Sequence, residues 1–103
     1  MTELVANIVL KMTDSDNLLV GELTRHTVMQ ISKKNIKQLI SQSSSIVDLQ
    51  QVIRVDTAGL AWLFSLLEQA NSINCQLSFS NIPEKLNKLI SLSGVEGFLP
   101  LST

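Results

Sequence analysis

The stretch Val55-Asp56-Thr57-Ala58-Gly59-Leu60 decides how this chain folds. A short apolar run, residues 45–49, and then a turn lead to its first residue, Val55. A long apolar helix pattern, residues 60–70, begins at its last residue, Leu60. It therefore lies where a strand passes into the N-terminus of a helix. We predict that Asp56 is the N-cap, because its carboxylate can accept from the free backbone N–H groups of the first turn. Thr57 is then the first helical residue, with its hydroxyl pointing outward.

The residues after Asp56 are small. Ala58 and Gly59 keep the first turn bare, so that another surface can come close to it. Thr57 lies at the positive end of the helix dipole, where it can dock a partner or carry a phosphate. On this segment alone, helix capping is the preferred interpretation, since Asp and small residues are common wherever a helix packs tightly on a sheet.

Composition narrows the class of protein. The chain has 103 residues, enough for a single domain, 1–103, with one core. Hydrophobic residues make up 45% and charged residues 17%, which is typical of a globular protein. The net charge of −1 gives no electrostatic argument for binding nucleic acid or an anionic membrane. The longest apolar run, Leu60–Phe64, is far too short to span a bilayer, so we expect a cytoplasmic protein without direct membrane insertion.

Groups suited to catalysis are scarce. The sequence has no GxGxxG or GxxxxGK[ST] motif, one His, one Cys and no Tyr. A single cysteine, Cys75, provides neither a disulfide framework nor a cysteine metal site. Asp48 and Asp56 flank one turn, but ordering a strand end and capping a helix are preferred to acid–base catalysis. His26 is more simply a solvated loop residue than a phosphoryl carrier. We expect no catalytic activity, no cofactor and no metal.

The first part of the chain is predicted to form a hairpin and a helix. Val5–Met12 and Leu18–Leu23 are β-rich and are separated by turn formers, which indicates an antiparallel pair. Thr27-Val28-Met29-Gln30 has the spacing of a capping box, and apolar residues at helical spacing continue to Ile40. We therefore predict an amphipathic helix that begins at Thr27.

The later elements alternate between strands and helices. In chain order we predict a short buried strand at 46–49, the helix that Asp56 opens, a strand at Gln76–Ser80, a helix with Pro83 in its first turn and Gly94 just past its end, and a closing segment with Val95, Phe98 and Leu99. Because crossovers between parallel strands are right-handed, this order predicts an α/β fold. Its sheet is small, mixed and mostly parallel, with an N-terminal antiparallel hairpin and packed helices.

Trp62 departs from the core pattern of the helix that Asp56 opens. On a helical wheel, Leu60, Leu63, Phe64, Leu67 and Ala70 form the predicted core stripe, whereas Trp62 lies on the far side with Ala61, Ser65 and Gln69. Two interpretations are equally good: a loop or the C-terminal segment of the chain covers Trp62, or Trp62 is an exposed interface anchor. Because Trp62 is about one turn from Thr57, one interface can hold both.

Three lysines, Lys33, Lys34 and Lys37, share one face of the first predicted helix. The preferred interpretation is a solvated face. The alternative is a contact with an acidic partner.

From about Asn17 to Leu99, the chain resembles the STAS domain family, which includes bacterial anti-sigma factor antagonists and the cytoplasmic domains of sulfate transporters. The similar motifs are Val20-Gly21-Glu22-Leu23, Ile46-Val47-Asp48-Leu49 and Val55-Asp56-Thr57-Ala58-Gly59-Leu60, in this order. The resemblance implies the STAS fold. It also implies that Thr57 is the phosphorylated or partner-contacting position, followed by the family's small residues at Ala58 and Gly59.

Within this family, the chain is most similar to the small STAS subunit of the Mla-type phospholipid ABC transporter of Gram-negative bacteria. The similar segments are Asp56-Thr57-Ala58-Gly59-Leu60-Ala61, Gly21-Glu22-Leu23 and Phe98-Leu99-Pro100. Such subunits bind the cytoplasmic ATPase of the transporter and support its assembly and activity without hydrolysing ATP. The similarity implies a non-catalytic subunit that associates with the inner membrane through the transporter complex. The implied partner-binding residues are Asp56, Thr57, Ala58, Gly59, Ala61, Trp62 and Ser65.

The alternative within the family is an anti-sigma factor antagonist that binds an anti-sigma factor kinase and is regulated by phosphorylation at Thr57. Such antagonists usually carry Ser, often Ser-Ser, where this chain has Thr57-Ala58, which weakens the alternative without excluding it. Thr24 also stands where many members place Asp after their Gly-x-Leu strand. As a transporter subunit, the chain needs no phosphate on Thr57, whose hydroxyl would simply pack at the ATPase interface.

Overall fold

The computed structural model describes residues 6–102. Val5, the first residue of the predicted hairpin, lies outside the described residues, as do both ends of the predicted domain 1–103. The described elements are the strands β1 (Ile8–Met12), β2 (Asn17–Leu23), β3 (Ser44–Asp48), β4 (Val52–Val55) and β5 (Gln76–Ser80), a 3₁₀ turn (Val28–Gln30), and the helices α1 (Lys33–Leu39), α2 (Thr57–Ser72) and α3 (Glu84–Leu92).

The strands form one mixed sheet. β1 and β2 pair antiparallel, as the turn formers between them predict. The other edge of β2 pairs in parallel with β3 at Leu18 and with β4 along Gly21–Leu23. β3 in turn pairs in parallel with β5 along its whole length. The predicted α/β fold, a mostly parallel sheet with an N-terminal hairpin, is therefore confirmed.

Strand β4 lies where the sequence predicted only a turn. The chain leaves β3 at Asp48 and makes a turn in which the Val52 N–H donates to the Leu49 carbonyl oxygen over 3.1 Å. It then continues along the same edge of β2. A shift of register between Gly21 and Glu22 accommodates the second strand. β4 has only four residues, and its two central side chains, Ile53 and Arg54, are both exposed, so its sequence carries no clear alternation. Its pairing with β2 makes it a strand.

The predicted helix start at Thr27 is wrong. The Thr27 hydroxyl donates to the carbonyl oxygen of Glu22 over 2.7 Å, at the end of β2, instead of capping the following turn. Residues 28–30 consequently form a short 3₁₀ turn. The α-helix begins at Lys33, where the hydroxyl of Ser32 accepts from backbone N–H groups of the first turn. The buried Thr27 therefore stabilises the loop after β2, and Ser32 caps the helix.

The core lies between the sheet and the helices, and α2 contributes its largest helical share. The predicted stripe is partly wrong, because Phe64 and Leu67 are only half-buried, whereas Leu66 is fully buried. The residues of α2 that are buried are Gly59, Leu60, Leu63, Leu66 and Ala70. This face is selected by the close contact of Gly59 with β2, which turns Leu66 toward the sheet.

The C-terminal part follows the prediction in its main features. Pro83 lies at the N-cap of α3, and Gly94 lies just past its end with a φ of 71°, in the left-handed region that favours glycine. Leu99 is buried, but Phe98 stays exposed. The chain then passes beside β5, where it forms a parallel bridge between Phe79 and Leu101.

Within residues 6–102, no helix combines the length and apolar character needed to cross a membrane.

Candidate functional site

Asp56 begins α2 as predicted. Its Oδ1 accepts from the backbone N–H of Gly59 over 2.9 Å, which is an N-cap bond. Its Oδ2 accepts from the backbone N–H of Arg25 over 3.1 Å. Its own N–H donates to the carbonyl oxygen of Leu23 over 3.3 Å. One residue therefore joins the end of β4, the start of α2 and the loop after β2.

The environment of Asp56 keeps its carboxylate charged. Desolvation acts to raise the pKa of this group, but the backbone N–H groups of Gly59, Arg25 and Ala58 and the charge of Arg25 outweigh it, so that the pKa lies below its ordinary value of 3.8. Asp56 is consequently an anion at neutral pH. The positive end of the α2 dipole also stabilises a negative charge at this position.

Thr57, Ala61 and Ser65 are all exposed and follow one another at intervals of four residues along α2. Ala58 and Trp62, which are half-buried, lie beside them. We call these five residues the α2 outer face. The structure thus brings together most of the predicted site residues on one side of the helix. The side chains at the N-terminal end of this face, those of Thr57, Ala58 and Ala61, are small.

Gly59 has a different position from the one predicted. It is buried, and a Cβ atom built on it would overlap the carbonyl oxygen of Leu23. The surface that approaches the bare first turn at Gly59 is therefore β2 of the same chain. Gly59 lets α2 pack closely on the sheet, and Asp56 is occupied with its backbone donors. Both residues position the α2 outer face without belonging to it.

Trp62 combines features of both interpretations of the sequence. It is half-buried and packs against the core. It also lines a groove between α2 and residues 28–37. Residues near the 3₁₀ turn therefore cover part of Trp62, while the rest faces the groove. The predicted cover by the C-terminal segment is not the one observed, because that segment bonds to β5.

A polar cavity lies beside the start of α2 and was not predicted. It is lined by Ala6, Glu22, Thr24, Arg25, His26, Arg54 and Asp56. An ion pair of 3.8 Å joins Arg54 and Glu22 across the β2–β4 pair. His26 is exposed, and its Nε2 accepts from the Arg25 side chain over 3.4 Å. This grouping could not be predicted without β4, which brings Arg54 beside Glu22.

Asp48 and Asp56 serve separate parts of the structure. Asp48 accepts from the backbone N–H of Gln50 over 2.8 Å and from the side-chain amide of Asn81 over 3.0 Å. It thus orders the end of β3, as predicted.

In the part of the chain that the structure describes, no three His, Cys, Asp or Glu residues are grouped so that they can hold a metal ion.

The fold is that of solved anti-sigma factor antagonists. A proposed antagonist from Thermotoga maritima matches with a TM-score of 0.68 and 18% identity, over 91% of this chain and 85% of that one. The Bacillus protein SpoIIAA matches in its phosphorylated form with a TM-score of 0.60 and 20% identity, over 93% and 91%. Its unphosphorylated form matches with a TM-score of 0.64 and 19% identity, over 93% and 88%. At such identities the likeness shows the fold alone.

The sequence itself shows the family. A family model described as "Mlab, STAS domain" matches residues 17–101, and the chain therefore belongs to the STAS domain family. STAS domains are in general non-catalytic domains of regulation and interaction. No curated protein shows a significant sequence match to this chain.

Proposed function

We propose that this chain is a non-catalytic subunit that binds the cytoplasmic ATPase of a phospholipid ABC transporter of the Mla type and supports its assembly and activity. The observation that carries the proposal is the match of residues 17–101 to the family model described as Mlab. In this proposal, the subunit is cytoplasmic and associates with the inner membrane through the ATPase, without inserting into the membrane itself.

The α2 outer face is the surface we propose for the ATPase. Thr57, Ala61 and Ser65 are small and exposed, so a partner backbone can approach them closely. Ala58 lies beside them, and Trp62 provides a large aromatic contact at the edge, of the kind that is enriched among binding hot spots. Asp56 and Gly59 act on the same interface indirectly, since they fix the start of α2 and its distance from the sheet.

The chain's small set of reactive groups supports a role without catalysis. It has one His and one Cys, and Cys75 is buried. A purified chain is expected to show no saturable ATP hydrolysis above the blank. Hydrolysis that is stoichiometric and is lost on mutation of the chain's own residues would contradict this part of the proposal.

The decisive test is a binding measurement with the ABC ATPase encoded nearest to this gene. The wild-type chain is expected to bind it, and Thr57→Glu is expected to weaken binding about tenfold or more, since it adds a charge beside Asp56 in a desolvated contact. Thr57→Ser is the matched control and is expected to change the Kd by less than about threefold. The melting temperatures of all three proteins should agree, because Thr57 is exposed.

Two results would contradict the proposal. Absence of binding by the wild-type chain would exclude this ATPase as its partner. Equal binding by Thr57→Glu and the wild type would mean that Thr57 only starts the helix and that the ATPase binds elsewhere.

The second candidate function is that of an anti-sigma factor antagonist controlled by phosphorylation of Thr57. The fold shared with SpoIIAA, which has been solved in phosphorylated and unphosphorylated forms, favours it. The exposed position of Thr57 at the start of α2 also supports it, because the helix dipole stabilises a phosphate there by about 0.3–1 kcal/mol. Asp56 beside it opposes the added charge.

The two functions are separated by a kinase assay. The chain is incubated with ATP and an anti-sigma factor kinase from the same genome, and phosphate is located by mass spectrometry. Phosphate on Thr57 that is absent from Thr57→Ala, together with binding to the kinase and none to the ATPase, would select the second candidate. Binding to the ATPase without phosphorylation would select the first.

A further inference from the structure

An apolar groove of about 420 Å³ runs along α2 beside the α2 outer face. Val28, Ile31 and Ile36 line one side of it, and Trp62 lines the other. Met29 also lines the groove and is 90% exposed. A methionine so exposed beside a half-buried tryptophan is an unusual use of apolar surface, since both side chains would gain from being covered.

The groove has a positive side. Lys33 and Lys37 line it from α1, and none of its lining residues is Asp or Glu. Among residues 6–102, neither lysine forms an ion pair. The chain as a whole has a net charge of −1, so this local excess of positive charge is a property of the groove. A solvated helix face would explain the lysines but would leave Met29 and the open side of Trp62 unexplained.

We propose that the groove binds an acidic amphipathic helix of the partner ATPase. The inference rests on the proposed function for the identity of that partner. The apolar face of the helix packs on Met29 and Trp62, and two of its carboxylates pair with Lys33 and Lys37. The two lysines are four residues apart on α1, or about 6 Å along the axis. Carboxylates four residues apart on a helix lying along α1 have the same spacing, so both pairs form together.

Charge reversal tests the electrostatic half of the proposal. The double variant Lys33→Glu/Lys37→Glu is compared with Lys11→Glu/Lys85→Glu, which changes the net charge equally at exposed lysines that lie on other elements and do not line the groove. Affinity for the ATPase is measured at low and high salt. The groove variant is expected to bind about tenfold more weakly or worse and to lose most of the salt dependence, whereas the control stays within about twofold.

Site-directed crosslinking tests the location. A photoactivatable benzophenone is attached to Met29→Cys, and Leu92→Cys on α3 is the control because Leu92 is 86% exposed. The native Cys75 is buried and does not compete for the reagent. In the complex with the ATPase, the Met29 site is expected to crosslink to a segment in which acidic and apolar residues alternate at helical spacing. The Leu92 site is expected not to crosslink to that segment.

The outcomes distinguish this inference from the proposed function. If the ATPase binds and responds to Thr57→Glu, but neither the groove variant nor the Met29 crosslink has an effect, the groove inference is wrong and the function stands. If the ATPase does not bind the wild-type chain, both are wrong. If the wild-type chain binds vesicles that contain phosphatidylglycerol and Lys33→Glu/Lys37→Glu does not, the groove faces a membrane and the helix proposal is overturned.

Discussion

Asp56 joins three segments of the chain through a single residue. Its carboxylate holds the first turn of α2 and the loop at Arg25, and its backbone amide bonds to the end of β2 at Leu23. Desolvation acts to raise the pKa of the carboxylate, but the backbone N–H groups of Gly59, Arg25 and Ala58 and the charge of Arg25 lower it further than desolvation raises it. The carboxylate therefore stays charged. The position of the α2 outer face consequently depends on a residue that does not belong to it.

We expect Asp56→Ala to lower the free energy of unfolding by about 1 kcal/mol, within the roughly 0.5–2 kcal/mol found for lost N-caps. Asp56→Asn should lose less, because Asn is itself a good N-cap. Urea unfolding at neutral pH gives both values. An unchanged stability of Asp56→Ala would mean that the two backbone hydrogen bonds contribute nothing net.

The same side chain predicts a pH dependence. Since the pKa of Asp56 in the folded chain lies below its ordinary value of 3.8, its stabilisation is fully present above that value and is lost as the pH falls through the lower folded pKa. The stability difference between the wild type and Asp56→Asn is therefore expected to shrink as acid is added below about pH 4. A difference that stays constant or grows would contradict the sign of this shift.

Trp62 is a second residue at which a mutation is expected to affect both folding stability and partner binding, and the two effects can be measured separately. Since it is half-buried, Trp62→Ala is expected to cost about 1–2 kcal/mol of folding stability, below the roughly 3–5 kcal/mol of a fully buried aromatic. It should also weaken partner binding by about 2 kcal/mol. The fully buried neighbour Leu63→Ala is the control for loss of core packing, with an expected cost of roughly 2–5 kcal/mol.

Thermal unfolding and ATPase affinity, measured side by side, decide the role of Trp62. A loss of stability as large as that of Leu63→Ala would make Trp62 a core residue. Unchanged affinity would remove Trp62 from the interface.

Helix α2 lies in close contact with the sheet at its first turn. The contact between Gly59 and the carbonyl of Leu23 leaves no room for a side chain. This contact selects Leu63, Leu66 and Ala70 as the buried face of the helix and leaves Thr57 exposed. The accessibility of the proposed binding surface is thus a consequence of how α2 docks on β2.

Gly59→Ala tests this docking. In an exposed helix, Gly to Ala stabilises by about 1 kcal/mol, but here the new Cβ must displace α2 or β2, and we expect a net loss of roughly 1–3 kcal/mol. Ser65→Ala, at an exposed position of the same helix, should change stability by less than about 0.5 kcal/mol. The measurement is urea unfolding of the three proteins. A stabilised Gly59→Ala would show that the contact is loose enough to relax.

The sheet as a whole has one edge covered by the end of the described chain. The backbone N–H of Phe79 in β5 donates to the carbonyl oxygen of Pro100 over 2.9 Å, and the N–H of Ser102 donates to Phe79 over 2.8 Å. A short segment therefore occupies both backbone hydrogen-bonding groups of Phe79 at this edge of β5. Unpaired strand edges are sites of association between chains, so we expect this segment to hinder self-pairing through β5.

A chain that stops after Leu99 is expected to self-associate through β5. Size-exclusion chromatography with light scattering should show dimers or larger species that grow with concentration. Leu101→Ala is the matched control, because it keeps the backbone bonds of Pro100 and Ser102 and loses only an exposed side chain. A shortened chain that stays monomeric at high concentration would mean that the edge is protected in another way.

Local chemistry in the sequence was sufficient for the overall fold and for the start of α2. The turn formers after Met12 predicted the β1–β2 hairpin, and Asp56 followed by small residues predicted the cap of α2. The alternation of later strands and helices predicted the mostly parallel sheet. These features depend on residues that are close in sequence or on general rules of connection, so no knowledge of distant contacts was needed.

Only the tertiary structure decided the features that depend on contacts between distant segments. β4 exists because β2 pairs with it, and Thr27 fails as a cap because the end of β2 takes its hydroxyl. Gly59 is buried because α2 packs on Leu23, and Trp62 is half-buried because residues after β2 fold against α2. Periodicity along one helix cannot reveal what lies opposite each face, since burial and hydrogen-bond partners are set by the neighbouring elements.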